Sequence, residues 1–359
     1  MSTFSAITFS MRKKRILVGV LNWGLGHAAR SIPIINALQK YNFEPIIASD
    51  GNALKLLRKE FPHLIAIHLP SYNIAYSKNP DFLKWKILFE SPKILQAIKA
   101  EKQQTKSIIK KYDISGIFSD NRLGVRHKAV KSVFMTHQIQ VLSGMTTYFS
   151  SIAHQKYIKK FDECWIPDTP NENNLSGTLS NTDTIKFPTK YIGILSRFKK
   201  KNCPIIYDYL MLLSGPEPQR TILEKKLLET FKNTTKKILF IRGVFSKEKI
   251  ESKNPNIDIK NNLYGVRLQQ AINSCDLVIS RSGYTSLMDL ANLEKKAFFI
   301  PTPGQFEQEY LANRLMKLGI APYCSQDNFN MDKLKNVKEY TGFSKFDYHY
   351  PFEELFGLF

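Results

Sequence analysis

Apolar residues in this chain fall into short runs that alternate with stretches of helical spacing. Residues 15–21 (RILVGVL) form an apolar run of the length and β-branched character of a strand buried on both faces. A helix is predicted over about 27–41, with Ala28, Ile32, Ile35 and Leu38 on one face. Residues 44–48 read as the next strand, 52–60 as a helix and 64–68 as a short strand. The series continues with strands at 114–119 (ISGIFS) and 132–135, and 164–167 (CWIP) reads as the last strand of this half. Residues 169–184, rich in Asn, Ser, Thr and Gly, read as loop. Residues 191–195 (YIGIL) then lead into a basic linker at 196–202.

The alternation begins again at 205–214, an apolar strand ending in Ser214-Gly215-Pro216. A helix over about 217–231, a strand at 237–241, a helix at 268–274 and a strand at 276–280 follow. Strand–helix alternation of this kind predicts an α/β fold of two Rossmann-like doubly wound domains facing across a cleft. Their expected limits are 11–195 and 203–340, with an aromatic-rich tail at 341–359 packing back. The long basic stretch 82–111 has Leu83, Trp85, Ile87, Leu88, Phe89, Ile94, Leu95 and Ile98 as apolar members. It reads as a helix covering the sheet, with a membrane-surface helix as the sharper alternative.

Three segments carry candidate chemistry. In the turn 22–30 (NWGLGHAAR), Gly24 and Gly26 permit a tight bend and close approach of a ligand, and His27 stands where α/β sheets bind ligands. A histidine with a pKa near ~6.5 suits a general base at neutral pH. Asp120 ends the strand 114–119 and could orient His27, act as the base itself or form an Asx turn with Asn121. His137 holds a similar strand-end position. The pattern is weak as a dinucleotide fingerprint, since Ala28 and Ala29 surround the place of a third glycine and only Asp50 lies about twenty residues on.

The most informative segment is 276–314, DLVISRSGYTSLMDLANLEKKAFFIPTPGQFEQEYLANR. Ser282 and Gly283 open a helix whose unpaired N–H groups and dipole favour phosphate. Asp289, two helical turns along, lies on the same face, where a ribose would fall behind a diphosphate. Pro301 and Pro303 stiffen the next loop, Gly304 frees its backbone, and Gln305, Glu307, Gln308 and Glu309 crowd the following helix start. S-R-S-G, a downstream acid and P-x-x-G-Q-x-E-Q together resemble the donor-binding half of GT-B glycosyltransferases. The likeness is to the family of the peptidoglycan UDP-GlcNAc transferases and the monogalactosyldiacylglycerol synthases (family 28-like).

The resemblance implies that Asp289 holds ribose and that Gln308 and Glu309 hold sugar hydroxyls, with Gln305 and Glu307 nearby. Asp289 is one methylene shorter than the family's glutamate, and Glu309 replaces a glutamine. It further implies roles near the donor for Arg197 in the linker, Gly215 in the turn SGPEPQR and Val266 beside the uracil. The loop with Gly24 and Gly26 would face the acceptor, as would His137 at its strand end, and His27, or else Asp120, would deprotonate the acceptor hydroxyl. An inverting transfer from a nucleotide sugar, most readily a UDP-sugar, is expected, with no metal and no cofactor. A nucleotide-sugar hydrolase of the pseudaminic acid pathway type shares the G-x-G-H-x-x-R loop and stands as the alternative. A 2-epimerase and a non-enzymatic binding protein of anionic surfaces are further rivals.

Composition narrows the picture. A chain of 359 residues with 43% hydrophobic residues can bury two cores. No apolar run approaches the roughly 20 residues of a membrane span, and the first ten residues lack a signal peptide's basic and apolar regions. Met11 is an alternative start. Cys164, Cys203, Cys275 and Cys324 have no metal-ligand spacing and fit a reducing compartment, and no D-x-D motif is present. The net charge of +21 raises nucleic acid and anionic membranes as partners. The charge is dispersed apart from knots at 12–15 and 199–201, so nucleic acid is not expected. A cytoplasmic location, with peripheral contact at the inner membrane face and a lipid-linked or membrane-adjacent acceptor, is expected.

Overall fold

The computed structural model describes residues 13–359 except 73–82, 143, 145–146, 171, 181–184, 247, 249, 345 and 347, and for 83–91 the backbone alone. Met11, Arg12 and Phe82 therefore lie outside the described residues, as do the side chains of Leu83, Trp85, Ile87, Leu88 and Phe89. Among the described residues the strands form two all-parallel sheets. The first contains β1 (Arg15–Val20), β2 (Glu44–Ser49), β3 (Ala66–His68), β4 (Ile114–Asp120), β5 (Lys131–Met135), β6 (Glu163–Ile166) and β7 (Thr189–Tyr191), in the order β3-β2-β1-β4-β5-β6-β7. Its crossover helices include α1 (Gly26–Lys40), α2 (Gly51–Glu60), α3 (Leu83–Tyr112) and α4 (Thr147–Ile158).

The second sheet contains β8 (Tyr207–Leu212), β9 (Ile238–Ile241), β10 (Ile257–Lys260), β11 (Cys275–Ser280) and β12 (Lys296–Phe299), in the order β10-β9-β8-β11-β12. Around it run α5 (Gln219–Thr230), α6 (Gly265–Asn273), α7 (Tyr284–Asn292) and α8 (Phe306–Lys317). The central strands read as continuous apolar runs because both faces are covered. Ile16, Leu17, Val18, Val278 and Ile279 are all fully buried. Strand order reverses between β1 and β4 in one sheet and between β8 and β11 in the other. Such switch points splay the loops at the strands' carboxyl ends and open a crevice there.

One expectation is corrected. CWIP is not the last strand of its sheet, because Thr189–Tyr191 pairs along its outer edge (Cys164↔Thr189). Two elements were unforeseen. The helix α4 buries Ser151 and Ile158 and turns Tyr148, Phe149 and Ile152 outward, which blurs the usual amphipathic signal. The strand β10 is a four-residue edge with only Ile257 buried. The helix α3 covers the sheet at its carboxyl-terminal end, where Ile108 packs with Leu17, Ile46 and Ile117. The final helix α9 (Phe352–Phe356) returns to the first sheet. There Phe356 lies edge-on to Phe43 at 5.8 Å, Phe359 lies 6.1 Å from Trp165, and Lys14 donates to the Phe359 carbonyl at 2.8 Å.

Candidate functional site

The two switch points face each other. Gly24 takes φ +75° with open space where a side chain would stand. Gly26 has no such freedom: an added Cβ would meet Thr285 Oγ1 at 2.9 Å, so the start of α1 lies against the first turn of α7. A side chain at Gly26 would push the two domains apart.

His27 and Arg30 lie one turn apart on α1 and converge on Asp120 at the end of β4. His27 Nδ1 is 2.8 Å from Asp120 Oδ1, Arg30 Nε donates to Asp120 Oδ2 at 2.9 Å, and Ser31 Oγ donates to the same oxygen at 3.1 Å. A second, very short bond joins Arg30 Nη2 to Asp120 Oδ1. Asp120 and Arg30 are buried. Burial alone would raise the Asp120 carboxyl, but the charges of Arg30 and His27 hold it well below the usual carboxylate range. Burial, then the nearby Arg30 charge, lowers the His27 pKa against the pull of Asp120, so the ring is neutral at neutral pH. Arg30 Nη2 also lies 2.9 Å from His27 Nδ1, but its closer partner is Asp120. The ring therefore gives its Nδ1–H to Asp120 and keeps the lone pair on Nε2.

A second chain of contacts crosses the cleft. Arg30 Nη1 lies 3.0 Å from His137 Nδ1, His137 Nε2 lies 2.9 Å from Glu307 Oε1, and Gln138 Nε2 donates to Glu307 Oε2 at 2.5 Å. The His137 ring stacks on Tyr284, the first residue of α7, at 3.9 Å and 2°. Tyr284 in turn donates to the Pro167 carbonyl at 2.8 Å. Burial raises the Glu307 carboxyl, but His137, Arg30 and His27 together outweigh it and the net shift is downward. Glu307, foreseen beside a donor sugar, thus sits against first-domain residues, and His137, foreseen on the acceptor side, joins it.

The second-domain loops are organised around the start of α7. Gly283 caps that helix with no side-chain hydrogen bond, its first turn carries no acid, and open space lies beyond Gly283. Its leading N–H groups point toward the cleft with the positive end of the dipole. The Ser282 hydroxyl instead turns inward and donates to the Gln308 carbonyl at 2.7 Å. The Gln308 side chain accepts from Thr302 N at 2.9 Å and donates to Gln305 Oε1 at 2.5 Å, and Glu309 Oε1 accepts from Gly304 N at 3.0 Å. These side chains hold the proline loop in shape. Gly215, at φ +104°, lies beside Thr302, whose buried Oγ1 has no partner among the described residues.

Asp289 is half-buried and accepts from Ser196 Oγ at 2.6 Å. Burial pushes its pKa up to about 6, with Ser196 and Arg197 opposing. Arg197 pairs with Glu60 of the first domain at 3.1 Å. Val266 is exposed in the first turn of α6. Asp50 is occupied elsewhere, paired with buried Arg122 and accepting from Asn22 at 3.2 Å, which leaves it no dinucleotide ribose to hold. Sequence reasoning overlooked Ser31, Gln138, Tyr284 and Thr302, and noted Arg30 only as part of a motif. For Arg30 the signal was present in its i+3 spacing from His27. Among the described residues no group of three or more His, Cys, Asp or Glu side chains is disposed to hold a metal ion, and no helix is long and apolar enough to cross a membrane.

Comparison with known proteins finds glycosyltransferases. Residues 214–341 match the glycosyltransferase family 28 C-terminal domain. The chain is 24% identical over 236 residues to the UDP-N-acetylglucosamine--N-acetylmuramyl-(pentapeptide) pyrophosphoryl-undecaprenol N-acetylglucosamine transferase of Buchnera aphidicola subsp. Acyrthosiphon pisum (strain Tuc7). That match covers 58% of this chain and 66% of the relative. Among solved structures, the glycotransferase of kitacinnamycin superposes with a TM-score of 0.61 at 14% identity, covering 91% of this chain and 90% of its own. Acinetobacter baumannii MurG does so with a TM-score of 0.53 at 14% identity, covering 92% and 93%. The likeness in structure establishes the GT-B fold.

Proposed function

We propose, from the premise that residues 214–341 are a glycosyltransferase family 28 C-terminal domain within a GT-B fold, that the protein transfers a sugar from a nucleotide-sugar donor to an acceptor hydroxyl with inversion. The observation that carries the reading is His27. It hangs from Asp120 at the end of the first sheet and sits on a helix start that abuts the uncapped α7. A diphosphate seated at α7 would accept from the leading N–H groups, and the helix dipole would stabilise charge as it leaves. This needs no bound metal.

Asp289 would accept from ribose hydroxyls. Gln305, Gln308 and Glu309 would exchange their loop-holding bonds for sugar hydroxyls, and the Thr302 hydroxyl and Gly215 backbone line the same turn. Val266 would flank the base, and Arg197 would lie near the diphosphate. His27 Nε2 would take the acceptor's proton as the hydroxyl attacks the anomeric carbon. Asp120, buried and bound by Arg30, serves the orienting role rather than that of the base. A UDP-sugar is the preferred donor, since the named relative uses one. The acceptor is lipid-linked or membrane-adjacent, which the basic surface suits, and the location is the cytoplasmic face of a membrane.

The test is consumption of UDP-sugar by the intact protein and by His27→Ala. Transfer lost in the variant with UDP binding kept supports the reading. UDP release with free sugar and no acceptor requirement would instead assign the hydrolase, with water in the acceptor's place.

A further inference from the structure

The helix α7 belongs to the second domain, yet its first side chain is buried against the first. Tyr284 is 3% exposed. Its ring lies flat on His137 at 3.9 Å and 2°, and its hydroxyl donates to the Pro167 carbonyl at 2.8 Å. Burial, then the charge of neighbouring Asp168, holds the phenol pKa well above its ordinary value, so the hydroxyl stays a donor. One residue on, Thr285 Oγ1 lies 2.9 Å from where a Cβ on Gly26 would stand. Two successive residues at the start of α7 thus touch the turn that carries His27 and the strand end that carries His137.

The socket for this ring is built into the first domain. Asp168 is fully buried, and its carboxylate accepts from the backbone N–H groups of Thr169 and Ser176, each at 2.8 Å, and of Leu175 at 3.1 Å. Its own backbone bonds to Ile166 and Gly193 at 2.8 and 3.0 Å, which fixes Pro167 at the end of β6. His137 is held from either side by Arg30 and Glu307. Other contacts between the domains, Thr178 to Tyr310 and Arg314 to the Glu172 carbonyl, are exposed. A buried aromatic ring inside a polar rim is the arrangement in which the ring carries most of an interface's strength. Tyr284 also follows Gly283, the cap of the helix whose leading N–H groups face the cleft, so its anchorage sets where a diphosphate stands relative to His27. The donor contacts named above all come from the second domain and the linker, so a nucleotide gains nothing by moving the domains.

We propose that Tyr284 is a positioning residue that docks the start of α7 in the first domain, so that the site is assembled before a nucleotide arrives. The inference rests on the transferase reading for what is positioned, yet its structural part is tested without turnover. Small-angle scattering is recorded on the full chain with and without UDP. The parent's radius of gyration should not change when UDP is added. Tyr284→Leu lacks both the stack and the hydroxyl bond. It should show a larger radius, bind UDP with the parent's affinity by calorimetry, and release UDP from UDP-N-acetylglucosamine about 100-fold more slowly. Tyr284→Phe keeps the stack, so it should keep the parent's radius and lose less than about tenfold in that rate. A parent that contracts on UDP, or a Tyr284→Leu chain with the parent's radius and rate, overturns the proposal. So does loss of UDP affinity in both variants, which would make Tyr284 a residue of the fold alone. A parent that binds no UDP overturns the transferase reading instead, and the radii of the free chains still decide whether Tyr284 docks the domains.

Discussion

Asp120→Asn strikes the point on which the first-domain site is hung. The carboxylate is fully buried and receives Arg30 Nε and Nη2, His27 Nδ1 and Ser31 Oγ. Asparagine keeps the volume but removes the charge, and its amide N–H₂ would face donors rather than acceptors. Arg30, 2% exposed, would be left without its counter-charge. Removing one partner of a buried ion pair costs about 3–5 kcal/mol. At about 2–4 °C per kcal/mol for a domain of this size, the melting temperature should fall by about 6–20 °C.

Sign and pH follow from the carboxyl's depressed pKa. Its stabilisation is complete above the unfolded value of ~4 and is lost as pH falls below that toward the folded value. The gap between parent and variant should therefore be constant from about pH 6 to pH 8 and narrow below about pH 4. Turnover should fall about 10²–10⁴-fold, because His27 is no longer held in the tautomer that leaves Nε2 free. Calorimetric melting across pH and UDP release assays measure both. A variant melting within about 2 °C of the parent and turning over at the parent's rate would refute the reasoning.

Other outcomes follow from the same geometry. His27→Ala should lose about 10²–10⁴-fold in kcat with UDP affinity kept. In the parent, kcat/KM should fall on the acid side only below the ordinary histidine value of ~6.5, because burial lowers the His27 pKa; an acid limb above that value would contradict this. Asp289→Asn should weaken nucleotide-sugar binding by about 1.5–3 kcal/mol and abolish the loss of affinity that titration calorimetry should find in the parent as pH drops through about 6. Because the Asp289 pKa is raised, its contribution to folding is full at low pH and lost as pH rises through about 6. The variant's melting temperature relative to the parent should thus be higher at pH 8 than at pH 5. Glu307→Ala removes the bonds to His137 and Gln138 across the cleft, so small-angle scattering should record a larger radius of gyration; an unchanged radius would mean these contacts do not hold the domains together.

The frame was legible because parallel strands buried on both faces advertise themselves as apolar runs, as 15–21 and 276–280 do. The helix α4 was not, since Tyr148, Phe149 and Ile152 face outward while Ser151 faces in with Ile158. His27 and Asp120 could be picked out singly from their strand-end positions, but their pairing spans 93 residues and no local pattern encodes it. The His137–Glu307 contact spans 170 residues and depends on how the two domains meet. Gln305, Gln308 and Glu309 show a further limit. Their polar pattern marks a loop that matters, and the structure has them bonded to that loop.

The central claim is that the crevice between the two sheets takes a nucleotide sugar. Calorimetric titration with UDP, GDP, dTDP and their sugars, run beside UDP release without acceptor, tests it most directly. The account predicts selective binding of UDP and a UDP-sugar with slow release, and weaker binding in Asp289→Asn. The absence of binding to every nucleotide and nucleotide sugar would contradict it.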